Sequence, residues 1–490
     1  MSQKKYIAVD LGAESGRVML GTVSTDNLIL EEIHRFANGP LEQNNSLRWD
    51  FEKLFREIKT GIAQALVKAE IPVAGIAVDS WGVDFGLIDR NGMLIENPYH
   101  YRDSRTDGML EKAFELMPKR EIYQQTGIQF MQLNTAYQLL AMRQAKSPVL
   151  TKAHKLIFMA DLVAYRLSGE IFAEYTLAST SQLMNMKTGR WARDIFKSFD
   201  LPSEIMPDLV QPGTVVGKLK NELAEELHCD PVPVIAAGSH DTTDAVAAVP
   251  ARAEGENWAY LSCGTWSLMG VELDRALITD KIFQYQFTNE GGVQNTIRFL
   301  KNIMGLWFVQ ECKRQWEQEG TELSYAQITD RAQKAPPFTA YIDPNHNDFL
   351  SPGDMPTKIN QYLTANNLPA INDKGQMIRV ILESLALEYR KVVDLLENVT
   401  GKSIDVLHMV GGGIQNELLC QFTANALGRK VVAGPIEATA TGNIIMQALA
   451  TGQINSLVEA RAIIRNSFDL KTYQPQDRNL WKSQYQKFRK

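Results

Sequence analysis

The chain has 490 residues, more than one ordinary hydrophobic core accommodates, so at least two domains are expected. Its composition, 44% hydrophobic and 22% charged, is typical of a globular enzyme and argues against a disordered or fibrous chain. A net charge of −6 and the lack of a basic stripe argue against a nucleic-acid-binding protein.

The sequence also indicates the compartment. The four cysteines, Cys229, Cys263, Cys312 and Cys420, form no C-x-x-C pair, which favours reduced thiols. Asp10 interrupts the first apolar run, so no signal peptide is predicted, and no apolar stretch approaches the ~20 residues of a membrane helix. The seven histidines lack metal-ligand spacing. We therefore expect a cytoplasmic protein that binds small molecules, with no membrane or nucleic-acid partner.

The first predicted elements form a mixed sheet. Three runs rich in β-formers, at Tyr6–Val9, Arg17–Val23 and Leu28–Phe36, are separated by turn residues and indicate a meander of strands. A helix with Asp50 as its N-cap follows, because apolar residues recur at helical spacing after it. Val73–Val78 then predicts a buried strand. The order βββαβ indicates an α/β fold with crossover helices.

A similar start occurs in the second half of the chain. Trp258–Leu261 and Leu268–Val271 predict two strands joined by a loop. Positions 12–15 and 264–267 both read Gly-x-x-Ser, which suggests two related domains with a boundary in the polar stretch Pro250–Asn257. Two later predicted elements are a long helix over 377–396 and a polar C-terminal helix from Asp477.

The turn between the first two strands is a candidate phosphate-binding loop. Gly12 and Gly16 would let the backbone approach a ligand closely, and the amides of a tight turn form a concave anion site. Arg17 could neutralise phosphate charge, and Asp10 could hold magnesium through water. A plain hairpin turn explains the same residues, and both interpretations remain open.

Two later segments have weaker signals of a ligand site. The loop containing Thr265 offers hydroxyl donors, although an ordinary turn is the favoured interpretation. The triplet Gly411–Gly413 lies between the predicted strand Ile404–Met409 and a helix from Asn416, which suits a flat ligand on bare backbone. A close strand-to-helix turn is the alternative. Asn302 is predicted to be a helix N-cap.

The run Gly238–Thr243 follows the predicted strand Val232–Ala237 and opens a helix. Ligand sites of α/β sheets lie at the carboxyl ends of strands, where a carboxylate can accept a proton from a substrate hydroxyl. Asp241 suits that role, but it also suits the N-cap of the helix, and His240 suits a loop histidine with its hydrogen bonds satisfied. Taken alone, the N-cap interpretation is favoured.

Together and in this order, these segments resemble the FGGY carbohydrate kinases, which share the actin-like ATPase fold. The resemblance extends over nearly the whole chain. The matching runs are Ala8–Leu20, Trp81–Phe85, Tyr101–Thr106, Gly127–Phe130, Ser239–Thr242, Ser262–Gly270, Asn289–Gly292, Lys301–Trp307 and Val410–Asn416.

The resemblance implies an α/β fold of two ribonuclease-H-like domains with a cleft between them. The expected division is an N-terminal domain over 1–250, a C-terminal nucleotide-binding domain over 251–475 and a C-terminal helix over 476–490. It implies an ATP-dependent, magnesium-requiring kinase of a small sugar. A non-sugar ATPase of the same fold is the alternative, and it would lack a base such as that in Ser239–Thr242.

The resemblance also implies residue roles. Asp241 would be the general base, and Asp10 remains the candidate magnesium residue. Trp81 could cover an apolar face of the sugar and Asp84 could bond its hydroxyls, unless this run belongs to the core. The implied sugar-binding residues are Gly82, His240, Asp241 and Thr242, and the implied nucleotide-binding residues are Ala13, Glu14, Ser15, Gly16, Arg17, Thr265, Asn302, Gln310 and Gly412.

Two departures from the family pattern bear on the substrate. Ala13 stands where many members have threonine after Asp-x-Gly, although Ser15 keeps a nearby hydroxyl. Asn134–Leu139 replaces the common lysine-containing signature of the first domain. Kinase activity is still expected despite these departures. They favour a substrate other than glycerol or xylulose.

Overall fold

The computed structural model describes residues 3–252 and 256–489, so residues 253–255 of the predicted boundary at Pro250–Asn257 lie outside the described residues. The chain forms two compact units. The first unit comprises Met1–Ala248, Glu272–Phe299 and Ala438–Ser467, and the second comprises Val249–Val271, Leu300–Glu437 and Phe468–Lys490. Each unit therefore combines segments that are distant in sequence.

The α-helices of the described residues are α1 (Phe51–Ala69), α2 (Met109–Leu116), α3 (Lys119–Thr126), α4 (Thr135–Gln144), α5 (Pro148–Lys152), α6 (Met159–Ser168), α7 (Tyr175–Ser179), α8 (Arg193–Ser198), α9 (Asn221–Glu226), α10 (Asp241–Ala247), α11 (Asp280–Tyr285), α12 (Trp307–Gln318), α13 (Tyr325–Lys334), α14 (Met355–Ala365), α15 (Lys374–Thr400), α16 (Glu417–Leu427), α17 (Ala438–Ala450), α18 (Leu457–Ser467) and α19 (Arg478–Phe488). No helix in this part of the chain is both long and apolar enough to cross a bilayer.

The strands of the same residues are β1 (Lys4–Leu11), β2 (Ser15–Val23), β3 (Leu28–Ala37), β4 (Pro40–Gln43), β5 (Ser46–Trp49), β6 (Val73–Ser80), β7 (Phe85–Ile88), β8 (Lys155–Phe158), β9 (Ala173–Glu174), β10 (Met184–Asn185), β11 (Arg190–Trp191), β12 (Leu209–Val210), β13 (Thr214–Lys218), β14 (Pro233–Ala236), β15 (Trp258–Cys263), β16 (Trp266–Leu273), β17 (Thr288–Gly291), β18 (Ile297–Met304), β19 (Val406–Val410), β20 (Lys430–Ala433) and β21 (Lys471–Tyr473).

The sheet of the first unit has the order β13-β14-β6-β1-β2-β3. Strands β1, β2 and β3 form the predicted antiparallel meander, and β1, β6 and β14 run parallel. The predicted N-cap of α1 is also confirmed, since Asp50 accepts a hydrogen bond of 3.1 Å from the amide of Lys53. Parallel strands joined by crossover helices place the loops after β1, β6 and β14 at one sheet edge.

The second sheet has the order β17-β18-β16-β15-β19-β20-β21, and read from β21 it repeats the arrangement of the first sheet read from β13. Strands β15 and β16 form an antiparallel hairpin, β15, β19 and β20 run parallel, and β21 pairs antiparallel at the edge. The first sheet has the same sequence of strand directions from β2 through β1, β6 and β14 to its antiparallel edge strand β13. The repeat suggested by the two Gly-x-x-Ser turns is therefore present in the topology.

Two local predictions were wrong. His240, not Asp241, occupies the N-cap position of α10, and Asp241 is the first helical residue. Asn302 lies inside β18, while the following helix begins at Trp307 after a tight turn. In both cases the apolar pattern does not reveal where the turn before the helix ends. The glycine triplet lies between β19 and α16, as predicted, and a short 3₁₀ helix at Gly412–Gln415 precedes α16.

Candidate active site

Strand register brings three predicted loops of the first unit together. Asp10 on β1 pairs with Asp79 on the parallel strand β6. Ser80, the last residue of β6, bridges to His240, and its amide donates to the carbonyl of Ser239 at 2.9 Å. The phosphate-loop candidate after β1, the Gly82 segment after β6 and the Asp241 segment after β14 thus lie at one carboxyl edge of the sheet.

The loop after β1 is a tight turn held from β3. The amide of Gly12 donates to the carbonyl of Ser15 at 3.0 Å. Asn38, just beyond β3, donates through its backbone amide to the carbonyl of Glu14 at 3.0 Å and through Nδ2 to the carbonyl of Gly12 at 2.9 Å. Asn38 was missed by sequence reasoning because it lies in an ordinary polar turn. These bonds fix the backbone of Ala13 to Ser15.

Gly16 and Arg17 have partners within the protein. A Cβ at Gly16 would lie 2.2 Å from the ring of Phe36, so packing against that ring requires glycine here. Nη2 of Arg17 lies 2.5 Å from Oδ2 of Asp10, whose side chain is almost fully buried. The charge of Arg17 is therefore directed at Asp10 in this structure.

The two carboxylate oxygens of Asp241 differ. Oδ1 accepts hydrogen bonds from the Thr242 amide at 2.5 Å and the Thr242 hydroxyl at 3.1 Å, and Nε2 of His240 lies 3.4 Å away. No described residue donates to Oδ2, and the side chain is 32% exposed. Burial, and then the charge of Asp10, raise the pKa of Asp241 to about 7. A carboxylate so placed can accept a proton near neutral pH.

His240 is held by groups that the sequence did not single out. Its Nδ1 lies 3.0 Å from Nη2 of Arg298 and 3.5 Å from Oε2 of Glu290. Burial, and then the charge of Arg298, lower the pKa of His240 well below its ordinary value, so the imidazole is neutral. Arg298 lies on β18, far from His240 in sequence, and only the fold brings the two together.

The backbone after β6 is tightly fixed around Gly82. Gly82 is partly exposed, and a Cβ there would lie 3.0 Å from the hydroxyl of Thr180. Val83 has φ 71°, a conformation rare for a β-branched residue. Its amide donates to the Thr180 hydroxyl at 3.2 Å and its carbonyl accepts from the Thr135 hydroxyl at 2.6 Å. These bonds hold the strained turn that presents Gly82.

Asp84 is a buried hydrogen-bond centre rather than a sugar contact. Its Oδ2 accepts from the indole groups of Trp49 at 2.7 Å and Trp81 at 3.0 Å, and from the amide of Tyr101 at 3.0 Å. Its Oδ1 accepts from Nε2 of Gln138 at 2.9 Å. Trp81 is 7% exposed and Asp84 is fully buried. The core interpretation of this run therefore replaces the sugar-facing one.

Four carboxylates lie near the carboxyl edge of the first sheet: Asp10, Asp79, Asp241 and Asp244. The pKa of Asp79 is raised first by burial and then by the charges of Asp10, Asp244 and Asp241. Oδ1 of Asp79 and Oδ2 of Asp244 are buried without a hydrogen-bond partner in the described structure. Oxygen ligands suit Mg²⁺, which needs only one or two carboxylates because it keeps much of its water. No cluster of three or more His, Cys, Asp or Glu side chains that could hold a metal ion is found among the described residues.

The predicted nucleotide residues Thr265 and Gly412 lie in segments that pack on the end of β15. Carbonyls in the β15–β16 turn, including that of Thr265, accept hydrogen bonds of 3.0–3.2 Å from the amides of 305–307. A Cβ at Gly413 would lie 2.5 Å from Sγ of Cys263, whereas a Cβ at Gly412 would meet nothing within 4 Å. Gly413 thus serves packing, and Gly412 presents open backbone.

The other two predicted nucleotide residues lie nearby in the chain. Asn302 is on β18, three residues before Gly305 of the turn that packs on Thr265. Gln310 is in the first turn of α12, and its side-chain oxygen is buried without a partner in the described part of the chain.

Residues 5–248 match the N-terminal domain, and residues 259–451 the C-terminal domain, of the FGGY family of carbohydrate kinases. The chain is 42% identical over 487 residues to rhamnulokinase of Bacteroides thetaiotaomicron, with 99% of each chain covered. It is 38% identical over 472 residues to rhamnulokinase of Bacillus subtilis, with 96% of each covered.

Solved structures match the fold at low identity. Ligand-bound xylulose kinase from Lactobacillus acidophilus has a TM-score of 0.80 at 18% identity, covering 99% of this chain and 96% of that one. Plasmodium falciparum glycerol kinase with ADP has a TM-score of 0.75 at 15% identity, covering 99% and 97%. The expected two-domain sugar kinase fold is thereby confirmed.

Proposed function

Because this chain belongs to the FGGY family of carbohydrate kinases, we propose that it transfers the γ-phosphoryl group of ATP to the 1-hydroxyl of L-rhamnulose, in L-rhamnose catabolism. The products are L-rhamnulose 1-phosphate and ADP. The choice of sugar is supported by relatives bearing the name rhamnulokinase that align over nearly the whole chain at 38–42% identity. The observation that carries the chemistry is the Asp241 carboxylate, with one anchored and one accessible oxygen.

In the proposed reaction Oδ2 of Asp241 accepts the proton of the sugar hydroxyl as its oxygen bonds to the γ-phosphorus. The bond from that phosphorus to the bridging oxygen of ADP breaks, and the proton passes from Asp241 to solvent. Thr242 keeps the carboxylate oriented through Oδ1. The partly exposed backbone at Gly82, with His240 and Thr242, forms the sugar-binding surface in this proposal.

The proposed nucleotide contacts are the loop Ala13–Arg17 together with Thr265, Asn302, Gln310 and Gly412. The turn amides of the loop suit phosphate oxygens, and the open backbone at Gly412 suits the flat base. Asp10 would hold Mg²⁺ through water, and the ion would neutralise charge on the phosphates. The binding of ATP phosphates gives Arg17 an alternative partner to Asp10.

A cytoplasmic location is also proposed, since ATP is the co-substrate and the four cysteines are free thiols.

The test is sugar-dependent release of ADP from purified protein with ATP, magnesium and L-rhamnulose, with the phosphorylated position determined by NMR. The proposal expects ADP release to depend on the sugar and the product to carry phosphate on its first carbon. Release that is equally fast without any sugar would contradict it and favour a non-sugar ATPase. Release that requires a different ketose, such as L-fuculose, would change the substrate only.

A further inference from the structure

A fully buried arginine lies directly behind the proposed base. Arg298 on β18 donates through Nε to the carbonyl of Gly291 at 2.8 Å. Its Nη2 contacts Nδ1 of His240 at 3.0 Å and Oε2 of Glu290 at 3.1 Å. On the opposite side of the imidazole, Nε2 of His240 lies 3.4 Å from Oδ1 of Asp241. The three side chains Arg298, His240 and Asp241 thus form one line of contacts.

This line determines which nitrogen of His240 carries the proton. A guanidinium is only a hydrogen-bond donor, because it does not deprotonate in proteins. Nδ1 of the neutral imidazole must therefore accept from Arg298, which leaves the proton on Nε2, facing Asp241. Glu290 favours the opposite tautomer, since its carboxylate lies 3.5 Å from Nδ1 and could accept a proton from it. The shorter contact of Arg298 decides the competition.

Stability alone does not account for Arg298. Nη1 of Arg298 is buried and has no hydrogen-bond partner among the described residues. A buried guanidinium with an unsatisfied donor is costly, and a buried ion pair is often no more stabilising than apolar side chains of similar volume. A role in setting the tautomer of His240 would explain why a charged side chain is buried at this position.

We propose that Arg298 is a positioning residue that holds His240 in the Nε2–H tautomer, so that an N–H and not a lone pair faces Oδ1 of Asp241 at 3.4 Å and Oδ2 stays directed at the substrate hydroxyl. This proposal rests on the proposed role of Asp241 as base. Without Arg298, Nδ1–H donates to Glu290, and a bare Nε2 lone pair faces the carboxylate. Asp241 then loses one of its orienting contacts, while the bonds from Thr242 remain.

The experiment compares Arg298→Met and Arg298→Lys with the wild-type protein. NMR of ¹⁵N-histidine-labelled protein without ligands reports the tautomer, with the His240 signals assigned from the spectrum of His240→Gln. We expect Nε2–H in the wild type, a shift to Nδ1–H in Arg298→Met, and retention of Nε2–H in Arg298→Lys, whose ammonium still donates. In turnover we expect Arg298→Met to lower kcat about 10- to 100-fold with KM for ATP unchanged, and lysine to restore most of the loss.

Arg461→Met is the matched control, because Arg461 is also a largely buried, ion-paired arginine of the first unit, bonded to Glu272 at 2.8 Å and to the carbonyl of Val246 on α10 at 3.2 Å. It should lower the melting temperature without changing kcat or the tautomer. An unchanged His240 tautomer in Arg298→Met, or a loss of kcat no larger than that of Arg461→Met, would overturn the proposal. If Arg298→Met does not fold, a change to Nδ1–H in Arg298→Lys with kcat near the wild-type value would also overturn it. Absence of sugar-dependent turnover in the wild type would defeat the proposed function alone, since the tautomer is read without substrate.

Discussion

At Asp241, one oxygen is anchored by Thr242 and the other is available to a substrate. Asp241→Asn preserves the shape of this side chain, and its carbonyl oxygen can still accept from the Thr242 amide, but an amide cannot take a proton. We expect kcat to fall about 10²- to 10⁴-fold while the nucleotide still binds. Initial-rate kinetics and calorimetric titration with ADP measure the two effects. Near-normal turnover of the variant would remove Asp241 from the role of base.

The pH dependence follows from the same residue. The proposed base would work when deprotonated, and the pKa of Asp241 is raised to about 7 by burial and by Asp10, against the lowering influence of Thr242 and Arg298. Activity should therefore be highest above pH 7 and be lost as the pH falls through 7, with kcat/KM about tenfold lower at pH 6 than its limit at high pH. The measurement is kcat/KM for the sugar from pH 5.5 to 9. A profile that is flat down to pH 5.5 would contradict the raised pKa.

Asp84 offers a prediction about stability. Its carboxylate accepts from four buried donors, and burial raises its pKa to about 6 despite them. The NH₂ group of asparagine is itself a hydrogen-bond donor. In Asp84→Asn it would therefore face another donor in either orientation of the amide, Nε2 of Gln138 or the indole N–H groups of Trp49 and Trp81. We expect unfolding to become easier by about 1–3 kcal/mol, seen as a lower urea midpoint. Asp26→Asn, at an exposed position, is the control and should change stability by less than about 0.5 kcal/mol. Equal midpoints for the two variants would refute this view of Asp84.

At the level of elements, two glycines after β19 have different surroundings. Gly413 packs against Cys263, whereas the backbone of Gly412 is open. In Gly412→Val the added atoms enter open space, so the fold should be kept, but they occupy the surface proposed for the nucleotide. We expect KM for ATP to rise about tenfold, a steric penalty in the usual range for overpacking. Initial rates at varied ATP give the value.

Gly413→Ala is the matched control for that variant. Its Cβ would lie 2.5 Å from Sγ of Cys263, so this substitution should lower the melting temperature while a smaller effect on KM for ATP is expected. If Gly412→Val left KM for ATP unchanged, the triplet would be a turn and nothing more, the alternative that the sequence leaves open.

Hairpins and parallel strands were predictable because their signals are local. The β1–β2–β3 meander and the β15–β16 hairpin follow from short β-rich runs bounded by turn residues, and the cap at Asp50 follows from residue type and spacing. The position of Asp241 at the end of β14 follows from the same logic. The helix starts at Asp241 and Trp307 were misplaced, since turn residues before a helix carry no apolar periodicity.

What could not be predicted depends on contacts between distant segments. Nothing local distinguishes Arg298, Asn38 or Thr180, yet these residues hold His240, the first loop and Val83. The sequence leaves open whether Asp84 bonds the sugar or belongs to the core, because a carboxylate next to a candidate binding residue suits either role. Trp81 is a local donor to Asp84, but the other three donors come from distant segments that only the fold brings together.

For the whole molecule, two sheets of the same strand order carry different residues at their loops. The first unit has acidic residues at the carboxyl edge of its parallel strands, including Asp10, Asp79 and Asp241. The second has small residues at the corresponding loops, where Gly412 leaves backbone open. In the proposed function the first unit supplies the base and both units supply nucleotide contacts, because function depends on the loops and not on the sheet.

The proposed sugar-binding residues all belong to the first unit. With Trp81 and Asp84 in the core, the proposed selecting surface is the backbone at Gly82 and the hydroxyl of Thr242, beside the ring of His240, whose two nitrogens face Arg298 and Asp241. A site of this kind rejects substrates that leave its buried polar groups unpaired, by factors far above those of apolar pockets. L-fuculose differs from L-rhamnulose in the configuration of one carbon, whereas D-xylulose and glycerol are shorter chains that lack the terminal methyl group.

We therefore expect kcat/KM to be highest for L-rhamnulose, about 10- to 100-fold lower for L-fuculose, and lower by about 10³-fold or more for D-xylulose and glycerol. Initial rates on the four acceptors with ATP and magnesium give the ratios. Asp241→Asn supplies the control: if selection lies in binding and the base acts on every acceptor alike, this variant lowers all rates by a similar factor and preserves the order. Glycerol or D-xylulose matching L-rhamnulose would refute the assignment of the sugar, while leaving the chain a carbohydrate kinase by its family.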